Sequence, residues 1–109
     1  MTAATTSDRF RITLGQLNPT MGDIAGNAAK ARTAWEAGRD AGADLVALPE
    51  MFILGYNSQD LVMKPAVQAA CLAAIEALAV ECAHGPALAI GGPAVEDGKL
   101  FNAYFICRG

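Results

Sequence analysis

The sequence predicts an α/β fold whose leading strands are parallel, and three observations carry that expectation. Short apolar segments of strand character alternate with two longer stretches of helical spacing. Their order reads strand, helix, strand, helix, strand, strand, which favours a sheet with right-handed crossovers. An Asp97-Gly98 pair then joins the last two strands as a tight hairpin. With 109 residues, the chain has room for one domain with a real core and is too short for two.

Each element has its own signal. Residues 1–9 read as a loose, polar leader, and the domain as 10–109. Phe10 to Leu17 alternates apolar and polar residues, the period of a strand, until Asn18-Pro19-Thr20-Met21-Gly22-Asp23 breaks it. From Ile24 to Ala41 the spacing is helical. Ile24, Ala28, Ala31 and Trp35 share a face, Lys30, Thr33, Glu36 and Asp40 lie elsewhere, and Gly42 is the stop. Asp44 to Leu48 is a short apolar strand of the kind buried on both sides. Asn57 to Asp60 reads as loop.

A second helix spans Pro65 to Cys82, with Val67, Cys71, Ile75, Leu78 and Cys82 as its core stripe. Its opposite side, Ala66, Ala69, Ala73 and Val80 around Glu76, is scarcely polar and invites a second cover. Ala87 to Gly91 is the third strand, and Leu100 to Cys107 the last. The chain's end at Arg108-Gly109 resembles entry to another turn, so a larger sheet is expected. Asn102, polar within an apolar strand, predicts a buried hydrogen bond.

The totals exclude several function classes. A 53% hydrophobic and 17% charged composition comes without any run near the ~20 apolar residues of a membrane span. The net charge of −3 and the absence of a Lys/Arg cluster give no attraction to nucleic acid or an anionic membrane. MTAATTSDRFR lacks the apolar core of a signal peptide, so a cytoplasmic location is expected. Cys71, Cys82 and Cys107 are odd in number and show no CxxC spacing, which argues against a disulfide framework or a zinc site. His84 is the sole histidine, placed to meet a helix dipole. Cys71 and Cys82, eleven residues apart, fall on one buried stripe and read as core. Gly91-Gly92-Pro93 is not a phosphate loop.

Ligands of such sheets sit at the carboxyl ends of strands, where Asn18, Glu50 and Gly91-Gly92 lie. Glu50 is the only ionisable group among them. In LPEMFILGY, residues 48–56, it follows an apolar strand and Pro49 and has apolar residues after it. The proline stiffens the exit, and partial desolvation there would suit a general acid/base. From these residues alone, an acid that caps a loop or pairs with a lysine is the commoner reading, since single acidic residues at strand ends are common. Tyr56 either packs or hydrogen-bonds a ligand.

Four segments in order carry a resemblance: ITLGQLNPTMGDIAGNAAK, GADLVALPEMFILGYNSQDLVMKP, ALAIGGP and EDGKLFNAYFI. They resemble the carbon-nitrogen hydrolase (nitrilase) superfamily, most closely the glutaminase domains of its glutamine-dependent NAD synthetase branch. NP-x-x-GD-x-x-GN followed by PE-x-F-x-x-GY-x-x-x-DL-x-x-KP is the more specific part. The resemblance implies the first half of a four-layer α-β-β-α sandwich and a Glu-Lys-Cys triad acting on glutamine. It assigns Glu50 as the catalytic acid/base and Tyr56 to the glutamine pocket. It places the family's lysine and cysteine beyond Gly109, since Lys99 and the three cysteines do not match them. The chain alone is therefore expected to be inactive, with no cofactor of its own. ATP and magnesium would belong to a C-terminal synthetase domain in a parent enzyme that is a homo-oligomer. Asn57-Ser58-Gln59 replaces a Pro-Pro-Glu often seen in the family. A stand-alone amidase of the same superfamily and a non-catalytic α/β module are the alternatives.

Overall fold

The computed structural model describes residues 8–108. Most of the expected leader, 1–7, lies outside the described residues. The elements are β1 (Ile12–Leu14), α1 (Ile24–Asp40), β2 (Leu45–Ala47), a 3-10 helix (Gln59–Met63), α2 (Pro65–Glu81), β3 (Ala87–Glu96) and β4 (Lys99–Cys107). The sheet order is β1-β2-β3-β4. The first two pairings are parallel and the last is antiparallel, as the element order predicted.

The helices start and stop where their end residues dictate. Asp23 caps α1 by accepting from the Gly26 N–H at 3.0 Å, and Gly42 follows its end at φ 81°. Pro65 occupies the first turn of α2, where its missing N–H costs nothing. The hairpin places Asp97 at φ 52° and Gly98 at φ 73°, the paired left-handed residues of its turn type.

Pairing register shows which side is core. Thr13, Val46, Leu88 and Cys107 form one row across all four strands. Both helices lie on that side: any side chain at Gly38 of α1 would strike Val46 and Thr13, and one at Gly92 would strike Ile75 of α2. Of the expected stripe of α2, Cys71, Ile75, Leu78 and Cys82 are buried and Val67 is partly buried against the core; on α1, Ala28, Ala31 and Trp35 are buried and Ile24 is partly so. Trp35 is anchored through its indole N–H to the Pro86 carbonyl at 2.8 Å, and Arg32 joins Glu81 across the helices at 2.8 Å.

The other side of the sheet is open. Leu14, Ala47, Ala89 and Ile106 form its central row, in which Leu14 and Ile106 are 66% and 57% exposed, Ala47 is half-buried and Ala89 is buried. This corrects the reading of β2 as buried on both sides: Val46 is fully buried, whereas Leu45 and Ala47 are only half-buried. It also corrects Asn102, which is exposed, because β4 is an edge strand and Asn102 lies opposite Pro93 on the open side. Among the described residues nothing covers the second face of α2, and Val80 is 78% exposed. The fold thus contains one helical layer and one sheet layer of the four-layer sandwich. No helix among the described residues is long and apolar enough to cross a membrane.

Candidate active site

The site is built where β2 stops. Leu48 still donates its N–H to Ala89 of β3 at 2.8 Å, and Pro49 then turns the chain out of the sheet. Glu50 opens a turn in which Met51, Phe52, Ile53 and Leu54 are all buried, so four apolar side chains anchor the segment behind the acid. Met51 sits at φ 53°, a left-handed conformation that costs a non-glycine residue about 1–2 kcal/mol. Such strain is tolerated where surrounding structure over-determines it. Here the Gly55 N–H donates to Met51 O at 2.8 Å, and the Ile53 N–H donates to Gly91 O at 3.1 Å.

Gly91 has a second part in this geometry. A Cβ on it would lie 2.2 Å from the Met51 nitrogen and 2.7 Å from both Cα and C of Glu50. Only a residue without a side chain lets the Glu50 backbone rest against β3. Gly91 lies within β3, which runs on to Glu96, and not at the strand end where the sequence reading put it.

The structure brings the two predicted site residues together. The Tyr56 hydroxyl donates to Oε1 of Glu50, and this bond pushes the Tyr56 phenol above its ordinary range, with burial contributing less. The expected desolvation of Glu50 is not found, because the carboxylate is exposed. Nothing among the described residues closes over the carboxyl end of the sheet at that point. The carboxylate is therefore aimed by a stiff backbone and a phenol donor toward open space.

Asn27 and Tyr104 are site-building residues that reading the residues one by one had missed. Asn27 is wholly buried. Its amide accepts from Thr20 N–H at 2.7 Å and donates to Thr20 O at 2.8 Å and Ile53 O at 3.1 Å, lashing α1 to the turn behind Glu50. Its signal was present as the final residue of NP-x-x-GD-x-x-GN. Tyr104 donates its hydroxyl to Leu48 O at 2.8 Å and, with Leu14, Gln16, Ala47 and Pro49, lines a hollow of about 200 Å³ on the open sheet face. A larger apolar hollow, about 410 Å³, lies between α2 and the β3–β4 hairpin, lined by residues such as Pro65, Leu72 and Phe105.

The cysteines lie elsewhere, in the core on the helix side. Burial pushes the thiols of Cys71 and Cys82 up to about 11 from an ordinary 9.0, and that of Cys107 up as well. A neutral buried thiol is neither nucleophile nor ligand. Folded protein at pH 8 should therefore resist alkylation by iodoacetamide at all three positions and react only after unfolding, as followed by mass spectrometry. The native thiols bind protons more tightly than unfolded ones, so stability should fall as pH rises from 9 toward 11. Rapid labelling of the native chain at neutral pH would refute their placement. Among the described residues no group of three or more His, Cys, Asp or Glu is placed to hold a metal ion.

Comparison with known proteins bears on the family and the fold. The carbon-nitrogen hydrolase family profile matches residues 11–108. A glutamine-dependent NAD(+) synthetase of Rhodobacter capsulatus is 59% identical over 102 residues, covering 94% of this chain and 18% of that protein. The synthetase of Thermotoga maritima is 48% identical over 56 residues, 51% of this chain and 10% of its own length. The chain thus spans under a fifth of these curated relatives. Among solved structures, the glutamine-dependent NAD+ synthetase of Acinetobacter baumannii superposes with a TM-score of 0.84 at 25% identity, over 91% of this chain and 19% of that one. An amidase from Nesterenkonia sp. shares the fold, with a TM-score of 0.69 at 21% identity over 89% of this chain and 42% of that one. A profile match that runs almost from end to end of the chain makes it a member of the carbon-nitrogen hydrolase family.

Proposed function

We propose that residues 10–109 are the N-terminal part of the glutaminase domain of a glutamine-hydrolysing NAD synthetase, with 1–9 as a leader. Glu50 serves as its general acid/base. The observation that carries this reading is the Glu50–Tyr56 pair, held at the carboxyl end of β2 by a strained turn and by Gly91. Both side chains are exposed among the described residues, so the pair is held by its own hydrogen bond and by the backbone beneath it.

The chemistry follows from what the pair can and cannot do. A carboxylate can accept the proton of a thiol and return one to a leaving amine, but it does not itself open an amide efficiently. The thiol comes from outside this segment, because Cys71, Cys82 and Cys107 are buried on the helix side, and the resemblance places the lysine that steadies the oxyanion outside it as well. The cysteine attacks the side-chain amide of glutamine, Glu50 takes the thiol proton and passes one to the departing nitrogen, and ammonia leaves a thioester that water hydrolyses. Tyr56, at the carboxylate, helps to seat the glutamine. The ammonia then amidates nicotinic acid adenine dinucleotide in a C-terminal synthetase domain, which uses ATP and magnesium; the parent enzyme is a homo-oligomer.

The test is an assay of the full-length gene product with nicotinic acid adenine dinucleotide, ATP and magnesium, offering either glutamine or ammonium as nitrogen donor. Dinucleotide amidation from both donors is expected. A product that hydrolyses amides but makes no dinucleotide would be a stand-alone amidase, and one without either activity would be a non-catalytic module.

A further inference from the structure

We propose that Tyr104 is a positioning residue for Glu50, its hydroxyl fixing the peptide that leads into the acid while Gly91, its cross-strand partner, seats the acid's backbone. The inference rests on the reading of Glu50 as the acid/base.

Tyr104 and Gly91 lie directly opposite each other in the β3–β4 pairing, so their positions on the sheet are coupled. The Tyr104 hydroxyl reaches across the open face to the carbonyl of Leu48, fifty-six residues away in sequence, at 2.8 Å. That carbonyl belongs to the Leu48–Pro49 peptide. Holding its oxygen orients a planar unit, and the Pro49 ring fixes the next backbone angle. One rotation, about the Pro49 Cα–C bond, then remains between the anchored peptide and Glu50. Gly91 limits that rotation by lying flush against Glu50 Cα and C. Beyond the acid, the left-handed Met51 and its bond from Gly55 close the turn.

The substitution to phenylalanine separates this part from simple packing. Phenylalanine keeps the ring of Tyr104 and removes only the hydroxyl, so whatever packing the ring supplies is retained. The hydroxyl is the group with a specific partner. Burial raises the phenol above its ordinary range, which keeps it a donor at working pH. Tyr104 touches the backbone before the acid and not the acid itself, so it acts through Glu50's placement.

The experiment uses the full-length chain and the substitution Tyr104→Phe, with Gly91→Ala as a second disturbance of the same joint. A small misplacement of a catalytic group can cost up to a hundredfold, and a loss of about tenfold in glutamine-dependent kcat is expected for Tyr104→Phe. The KM for glutamine, the ammonia-dependent rate and the melting temperature should stay at the parent's values. Gly91→Ala should lower the same kcat at least as far. An unchanged kcat in Tyr104→Phe overturns the inference. So does a loss accompanied by a lower melting temperature or a matching rise in KM, which would mark a packing or binding role. Glu50→Gln in parallel tests the underlying reading: if it still uses glutamine, the assignment of the acid fails, whatever Tyr104→Phe does.

Discussion

Glu50→Gln in the full-length protein should cut glutamine-dependent synthesis by about a hundredfold to ten-thousandfold while leaving synthesis from free ammonia at the parent's rate. Glutamine has nearly the same shape as glutamate and retains an oxygen that can accept from the Tyr56 hydroxyl. It cannot take up a thiol proton at neutral pH. An ordinary cysteine is mostly protonated there, so the attacking thiolate depends on a nearby base. Ammonia supplied from solution bypasses that step. Parallel assays with the two nitrogen donors check this. Equal loss of both would indicate misfolding, and no loss of either would remove Glu50 from the chemistry.

The largest effect on stability is expected at Asn27. Its wholly buried side chain holds Thr20 at both N–H and carbonyl and also holds the buried Ile53 carbonyl. Asn27→Ala takes this partner from the buried Ile53 carbonyl and the part-buried Thr20 N–H, leaves the Thr20 carbonyl with only the Asp23 N–H, and opens a small void. Each unsatisfied group costs about 1–3 kcal/mol, so a total of roughly 3 kcal/mol is expected. Urea unfolding followed by circular dichroism would measure it. A change below about 1 kcal/mol would mean that water reaches these groups and that Asn27 does not lash the turn to α1.

Much of the fold was legible because its signals are local. The 3.6-residue stripes of both helices, the Asp23 and Pro65 starts, and the Asp97-Gly98 hairpin each depend on neighbours a few residues away. Strand lengths were not legible, since they depend on partners. Phe10 to Leu17 alternates correctly, yet β1 covers only Ile12–Leu14, because β2 offers just three paired residues. Conversely, Gly91-Gly92-Pro93 reads as a strand end, but β3 runs on to Glu96. Beyond Ala89 its β2 side is no longer part of the ladder, so a proline there is tolerated. Helix-favouring geometry also appeared where loop was expected, in the 3-10 turn that takes in Gln59 and Asp60.

The site divides in the same way. Glu50 and Tyr56 are six residues apart, and one turn brings them together, so a short motif could carry the pair. Their exposure was not legible, because burial of a strand's end depends on what lies over it. Tyr104 could not be found from sequence, since its partner is fixed only by the register of β4 against β3 and by the path of Leu48.

The open row of the sheet has a shape as well as a polarity. Its middle positions, Ala47 and Ala89, are small, while Leu14 and Ile106 stand at its flanks. That makes a shallow trough along the two central strands, walled on either side. A surface that seats there at the density of a protein interior needs a ridge of bulky side chains down its middle and small residues at its margins. Enlarging the half-buried Ala47 would level the trough, a change of small effect while the face meets water and severe once a ridge has to fit.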